Sequence, residues 1–155
     1  MYRSPAVYQN SPGHMANLSS LYQRVGIETG VDAASPHHLV TMLYDGLLES
    51  MALARGAIRT NQIDVKCRAL TRAVRIIDEG LRCALNTEAG GDLATNLSDL
   101  YFYVSVRLTR ANLRNDDAAI EECIKLIEPL RQAWVSIGAQ EQASAPVPSM
   151  QKVVA

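Results

Sequence analysis

Between Val40 and Ile137 the apolar residues of this chain recur at intervals of three and four, in four blocks separated by short clusters of Pro, Gly, Ser, Asn and Asp. That period lines up one face of an α-helix, and no strand signal competes with it. Helical blocks of about 20 residues joined by short turns can bury their stripes only against one another. The expected fold class is therefore all-α: an antiparallel four-helix bundle about 30 to 35 Å long.

The block boundaries carry their own chemistry. Ser35 and Pro36 make a strong helix start, an N-cap hydroxyl followed by a proline whose missing N–H costs nothing there. From here Val40, Leu43, Leu47, Met51, Ala54 and Ile58 form the first stripe, which fades by Asn61. Leu39, Met42 and Leu53 widen it. Asp64 is the expected cap of a second helix carrying Leu70, Ala73, Val74, Ile77, Leu81 and Ala84, and Gly90-Gly91 should stop and turn the chain. Asp92 is expected to cap the third helix and Asp116 the fourth, with Asn115 in the turn between them. The fourth stripe is Ile120, Cys123, Ile127, Leu130, Trp134 and Ile137, with Pro129 inside it predicting a kink near Lys125 to Glu128.

Outside these blocks the pattern changes. Residues 1–17 are rich in Pro, Ser, Asn and Gly and read as a flexible N-terminal extension. Leu18, Leu21, Tyr22 and Val25 have helical spacing in a segment too short to hold alone, so it must dock as a short helical lid or stay mobile. The bundle domain is expected over 18–137, and 138–155 read as a disordered tail.

The third block, Leu93 to Leu113, is apolar on more sides than a core helix needs. Leu93, Leu97, Leu100, Val104, Leu108 and Ala111 form the expected inward stripe. Phe102, Val106 and Leu113, with Thr109 in step, form a second line roughly opposite the first, flanked by Tyr101 and Tyr103. Two readings stand at this point. The second line fills a crevice against a neighbouring helix of the same chain, or it is a binding groove for another chain.

Composition narrows the function classes. At 155 residues with a net charge of −1, the chain is one domain with no electrostatic case for nucleic acid. Arg55, Arg59, Lys66, Arg68, Arg72, Arg75 and Arg82 make the first two helices basic, against acidic residues at Asp116, Asp117, Glu121, Glu122 and Glu128 that could steer a partner. Cys67, Cys83 and Cys123 are odd in number and never in a C-x-x-C pair, the pattern of reduced core thiols. No apolar run follows a basic N-terminal start and none reaches the roughly 20 residues of a membrane span, so a cytosolic chain is expected.

Catalytic signals are missing. A bundle di-metal site needs Glu-x-x-His pairs, and none of His14, His37 and His38 has a glutamate three residues before it. His37 and His38 read as solvated first-turn residues. Asp45 and Glu49 stand one helical turn apart without a nucleophile or cleft and read as a polar outer face, with Asp45 a candidate anchor for a tyrosine or backbone amide. No catalytic residue, metal ligand or cofactor is assigned, and the chain is not expected to be an enzyme.

Three strings, ASPHHLVTMLYDG at 34–46, NLSDLYFYVSVRL at 96–108 and LRQAW at 130–134, stand in an order and spacing that resemble the FliS-type flagellin export chaperones, with Leu21-Tyr22 ahead of them. The resemblance covers roughly Ser20 to Ile137. It implies a cytosolic helical bundle that holds the C-terminal segment of flagellin unpolymerised until the flagellar type III secretion apparatus exports it. It further implies contact with an export gate component and with flagellar regulators, and leaves a homodimer open. Tyr22 matches the tyrosine of an N-terminal lid that the client displaces. The expected client groove is Leu39, Met42, Tyr101, Phe102, Val106 and Leu113. Tyr44, Asp45, Asn96, Arg107 and Trp134 match the family's motifs, as structural or binding positions. The alternative is a homo-oligomeric helical scaffold or regulator with no flagellin client, its second apolar line a self-association surface.

Overall fold

The computed structural model describes residues 35–144, which form four helices and, among the described residues, no strand. The N-terminal extension, the lid segment with Tyr22 and the end of the tail lie outside the described residues.

Helix α1, Pro36–Arg59, starts as the sequence predicts: Ser35 accepts from the His38 amide at 3.1 Å and Pro36 opens the first turn. It closes at Thr60, and Asn61 takes the left-handed conformation (φ 57°) that lets the chain reverse. Helix α2, Ile63–Arg75, is not capped by Asp64. Gln62 occupies the cap position without a side-chain bond, and Asp64 lies inside the first turn, where a carboxylate still suits the positive end of the helix dipole. Beyond Arg75 the helix widens into a π-helical segment, Ile76–Arg82. Gly80 of that segment meets α1 so closely that a Cβ would stand 3.0 Å from Leu43 Cδ2.

Helix α3, Thr87–Arg114, begins earlier than predicted, because Asn86 takes the cap role given to Asp92 and accepts from the Ala89 amide at 3.0 Å. The chain does break at the glycine pair: Gly91 is at φ 57°, ψ −137°, so a single turn precedes the main helix. Asn115, left-handed at φ 52°, ends it, and Asp116 accepts from the Ala119 amide at 3.1 Å to start α4, Asp117–Ser144. Helix α4 is assigned continuously through Pro129 and beyond Gly138, where the sequence pattern predicts the bundle to end.

Helix α1 packs on α2 and α4, and α3 packs on α2 and α4, so the helices run around a square with α1 and α3 on one diagonal. Leu43, Leu47 and Met51 of α1, Leu70 and the π-segment residues Ile76, Ile77 and Leu81, Val104 and Leu108 of α3, and Ile120, Cys123 and Ile127 of α4 fill the centre. Across the diagonal the hydroxyls of Tyr44 and Tyr101 stand 2.5 Å apart, each satisfying the other in an otherwise apolar interior. Much of the predicted basic surface is used internally. Lys66 is buried and donates to Asn112 O at 2.8 Å and Asn115 Oδ1, neutralising the carboxyl end of α3. Arg72 donates to Gly46 O and Ser50 Oγ of α1, and Arg55 forms a two-point ion pair with Asp117 of α4. These contacts take up part of the charge that the sequence offered for steering a partner, while Arg59, Arg68 and Arg75 stay exposed.

Candidate client-binding surface

Helix α3 presents three different faces. Inward lie Ala94, Tyr101, Val104, Ser105, Leu108 and Ala111, all buried. The stripe predicted from hydrophobicity was rotated off this line at its start: Leu93 is exposed, and Leu97 and Leu100 are half-buried. Tyr101 replaces Leu100 at the centre because only a tyrosine there meets the hydroxyl of Tyr44.

The face toward α4 is closed by polar contacts. Tyr103 donates its hydroxyl to Glu122, and Arg107 donates to the same carboxylate from Nη2 at 2.6 Å and Nε at 3.1 Å. The bond from Tyr103, and then that from Arg107, hold the Glu122 carboxyl below its usual range, while the bond to Glu122 raises Tyr103.

The face beside α2 is open. Phe102 is 56% exposed, Val106 half-buried, Thr109 exposed and Leu113 81% exposed. Next to this line a groove of about 200 Å³ runs between α2 and α3, lined by Leu70, Thr71, Val74 and Arg75 on one side and Leu108, Thr109 and Asn112 on the other. Ile63, at the start of α2, is 57% exposed. The Arg82 guanidinium sits 5.3 Å from the Phe102 ring centre. Of the two readings of the second line, the intrachain crevice fails among the described residues for Phe102 and Leu113, which no described helix buries.

The expected groove set divides accordingly. Phe102, Val106 and Leu113 come together on one face. Leu39 and Tyr101 do not belong to it: both are fully buried, Leu39 in the α1 core face and Tyr101 against Tyr44. Met42 is half-buried on α1, the helix diagonal to α3. Tyr22 lies outside the described residues. The half of the groove supplied by α2 was missed, since Leu70 and Val74 read as core.

Most family-motif positions hold the bundle together. Tyr44 pairs with Tyr101, Arg107 with Glu122, and Asp45 with Arg131 of α4 rather than with a tyrosine or an amide. Asn96 is exposed. Trp134 donates from Nε1 to His37 O at 2.9 Å, its ring stacks on the His37 imidazole with centroids 4.6 Å apart, and His37 Nε2 lies 2.6 Å from Trp134 O. His37 is therefore half-buried in a latch between α1 and α4, not the solvated residue expected, whereas His38 is exposed. Gly138 leaves room for that imidazole: a Cβ there would fall 2.2 Å from His37 Cε1.

Only Cys123 is a core thiol, and burial pushes its pKa up to about 12; Cys67 is half-buried and Cys83 exposed. Among the described residues no cluster of three or more His, Cys, Asp or Glu side chains could hold a metal ion, and no helix is long and apolar enough to cross a membrane.

An all-α bundle with an uncovered apolar line on its third helix is thus in place when the sequence is compared with known proteins. Residues 16–141 match the family described as Flagellar protein FliS. The chain belongs to the FliS family. It is 45% identical to the flagellar secretion chaperone FliS of Salmonella typhimurium over 116 residues, 75% of this chain and 86% of that protein. The Pseudomonas aeruginosa chaperone FliSB is 43% identical over 116 residues, covering 75% of this chain and 91% of its own length. The more distant Bacillus subtilis FliS is 33% identical over 107 residues, 69% of this chain and 78% of its own. The family match begins at residue 16 and so includes Tyr22.

Proposed function

We propose that this FliS-family chain is a cytosolic export chaperone that holds the C-terminal segment of flagellin against α3 and the α2–α3 groove, and releases it to the flagellar type III secretion apparatus. The observation that carries this reading is the line of Phe102, Val106 and Leu113, exposed or half-exposed beside a groove of mixed polar and apolar lining, in a bundle whose four described helices already bury a core of their own. A stripe at helical spacing next to a groove accepts the apolar face of an amphipathic helix, and a segment disordered before binding folds as it docks. The role is binding and hand-over, not catalysis. Tyr22 and its neighbours act as a lid on part of this surface, lowering apparent client affinity by the fraction of time they occupy it. An export gate component and flagellar regulators are the remaining partners on this reading.

Calorimetric titration of the full chain with a peptide of about the last 50 residues of the host's flagellin tests it. Saturable binding with a negative heat-capacity change is expected, lost in a folded Val106→Asp variant. Binding that survives Val106→Asp moves the client elsewhere on the bundle. A wild-type chain that binds no peptide and sediments as a dimer leaves the self-associating scaffold as the better account.

A further inference from the structure

Arg82 ends the π-helical segment Ile76–Arg82, which packs against both α1 and α3. From there its guanidinium carbon lies 5.3 Å from the centre of the ring of Phe102, the aromatic member of the client line.

Its position is tethered. Arg82 Nη1 is 3.5 Å from Asp78 Oδ1, and the other oxygen of Asp78 accepts from Ser105 of α3 at 3.2 Å. Gly80 lets the segment pack closely on Leu43 of α1, where a Cβ would be tight. Phe102 stays 56% exposed with a cation over its ring, and the Arg82 side chain is itself 35% exposed. A side chain in that position can swing away without disturbing the core.

We infer that Arg82 is a partial gate on the apolar line: in the free chain its guanidinium occupies one face of the half-exposed Phe102 ring, and an incoming client helix that packs on that face displaces it. This rests on the client reading given above. The gate makes free chaperone less adhesive and sets aside a small part of the binding energy, so Arg82 tunes affinity without being a client contact.

The test is a double-mutant cycle on the full chain. Arg82→Ala should tighten binding of the flagellin C-terminal peptide by about two- to fivefold, the size of an exposed cation–π contact, and should have no effect in a Phe102→Ala background. Arg82→Met, which keeps the aliphatic stem, serves should Arg82→Ala lower the melting temperature. Weaker or unchanged binding in the folded single variants overturns the gate. If the wild-type chain binds no peptide, the client reading fails, and the gate is decided with the uncharged dye Nile red. Higher dye fluorescence in Arg82→Ala but not in Arg82→Ala/Phe102→Ala upholds it, and unchanged fluorescence overturns it.

Discussion

The two flanks of α3 lie on one helix, separated by less than half a turn of side chains, yet they are finished in opposite ways. Toward α4 a carboxylate, a phenol and a guanidinium close the seam, with Glu122 receiving both Tyr103 and Arg107. Toward α2 the described residues stop short of closing the bundle: Phe102, Val106 and Leu113 have helical spacing and are only partly covered, beside a groove of about 200 Å³. The difference teaches that exposed apolar residues here are not a deficit of core-building capacity. The same helix buries Tyr101, Val104 and Leu108 completely, so the open flank is not what holds the described core together.

The largest effect should come from removing what both flanks lean on. Tyr101→Ala empties a fully buried site and removes the hydroxyl that meets Tyr44, and a loss of about 3 to 5 kcal/mol is expected in urea unfolding, with both flanks failing together. A loss below about 1 kcal/mol would mean that the inner line is softer than its burial suggests.

Leu113→Ala separates the flanks. With 81% of Leu113 exposed, stability should stay within about 0.5 kcal/mol of wild type, whereas client affinity should weaken by about 1 to 2 kcal/mol. If melting suffers and binding does not, Leu113 packs within the chain and the open flank is misassigned.

The smallest effect is expected at the closed flank and is seen best as pH dependence. Glu122 is held below its ordinary 4.5, so its stabilisation is complete above that value and is lost as pH falls through the lower folded one. Tyr103 is raised above 10.0, so its contribution is present below 10.0 and lost as pH rises through the folded value. Glu122→Gln should flatten both ends of the stability profile and leave peptide binding as it was, since it touches only the α4 side. An unchanged profile would mean that these exposed contacts add nothing in solution.

The four helices were legible because their periodicity and three of their punctuation points act locally. Ser35, Asn115 and Asp116 do what cap and turn chemistry says they should. The start of α3 was misplaced because Asn86 and Asp92 are equally good caps in sequence, and Gly91 reads as a stop although a further helical turn precedes it. The open line Phe102, Val106 and Leu113 was visible as a second stripe, but Leu39 and Tyr101 were not separable from it, because burial of a side chain depends on which helix lies opposite. The π segment left no readable trace. Within it Gly80 meets Leu43, a contact between residues far apart in the chain. Charge was the least legible property: Lys66, Arg55 and Arg72 look like solvated surface until their partners on other helices are known.

The tyrosine pair also says something about time. Tyr44 and Tyr101 are 57 residues apart in sequence and sit on helices that do not pack on each other, so their hydroxyls meet only when both helices are docked in the bundle. The pair is expected to form late, so Tyr44→Phe should speed unfolding far more than it slows folding, as read in stopped-flow urea jumps. On the proposed client reading, such a contact would keep the host intact while a guest comes and goes at the open flank.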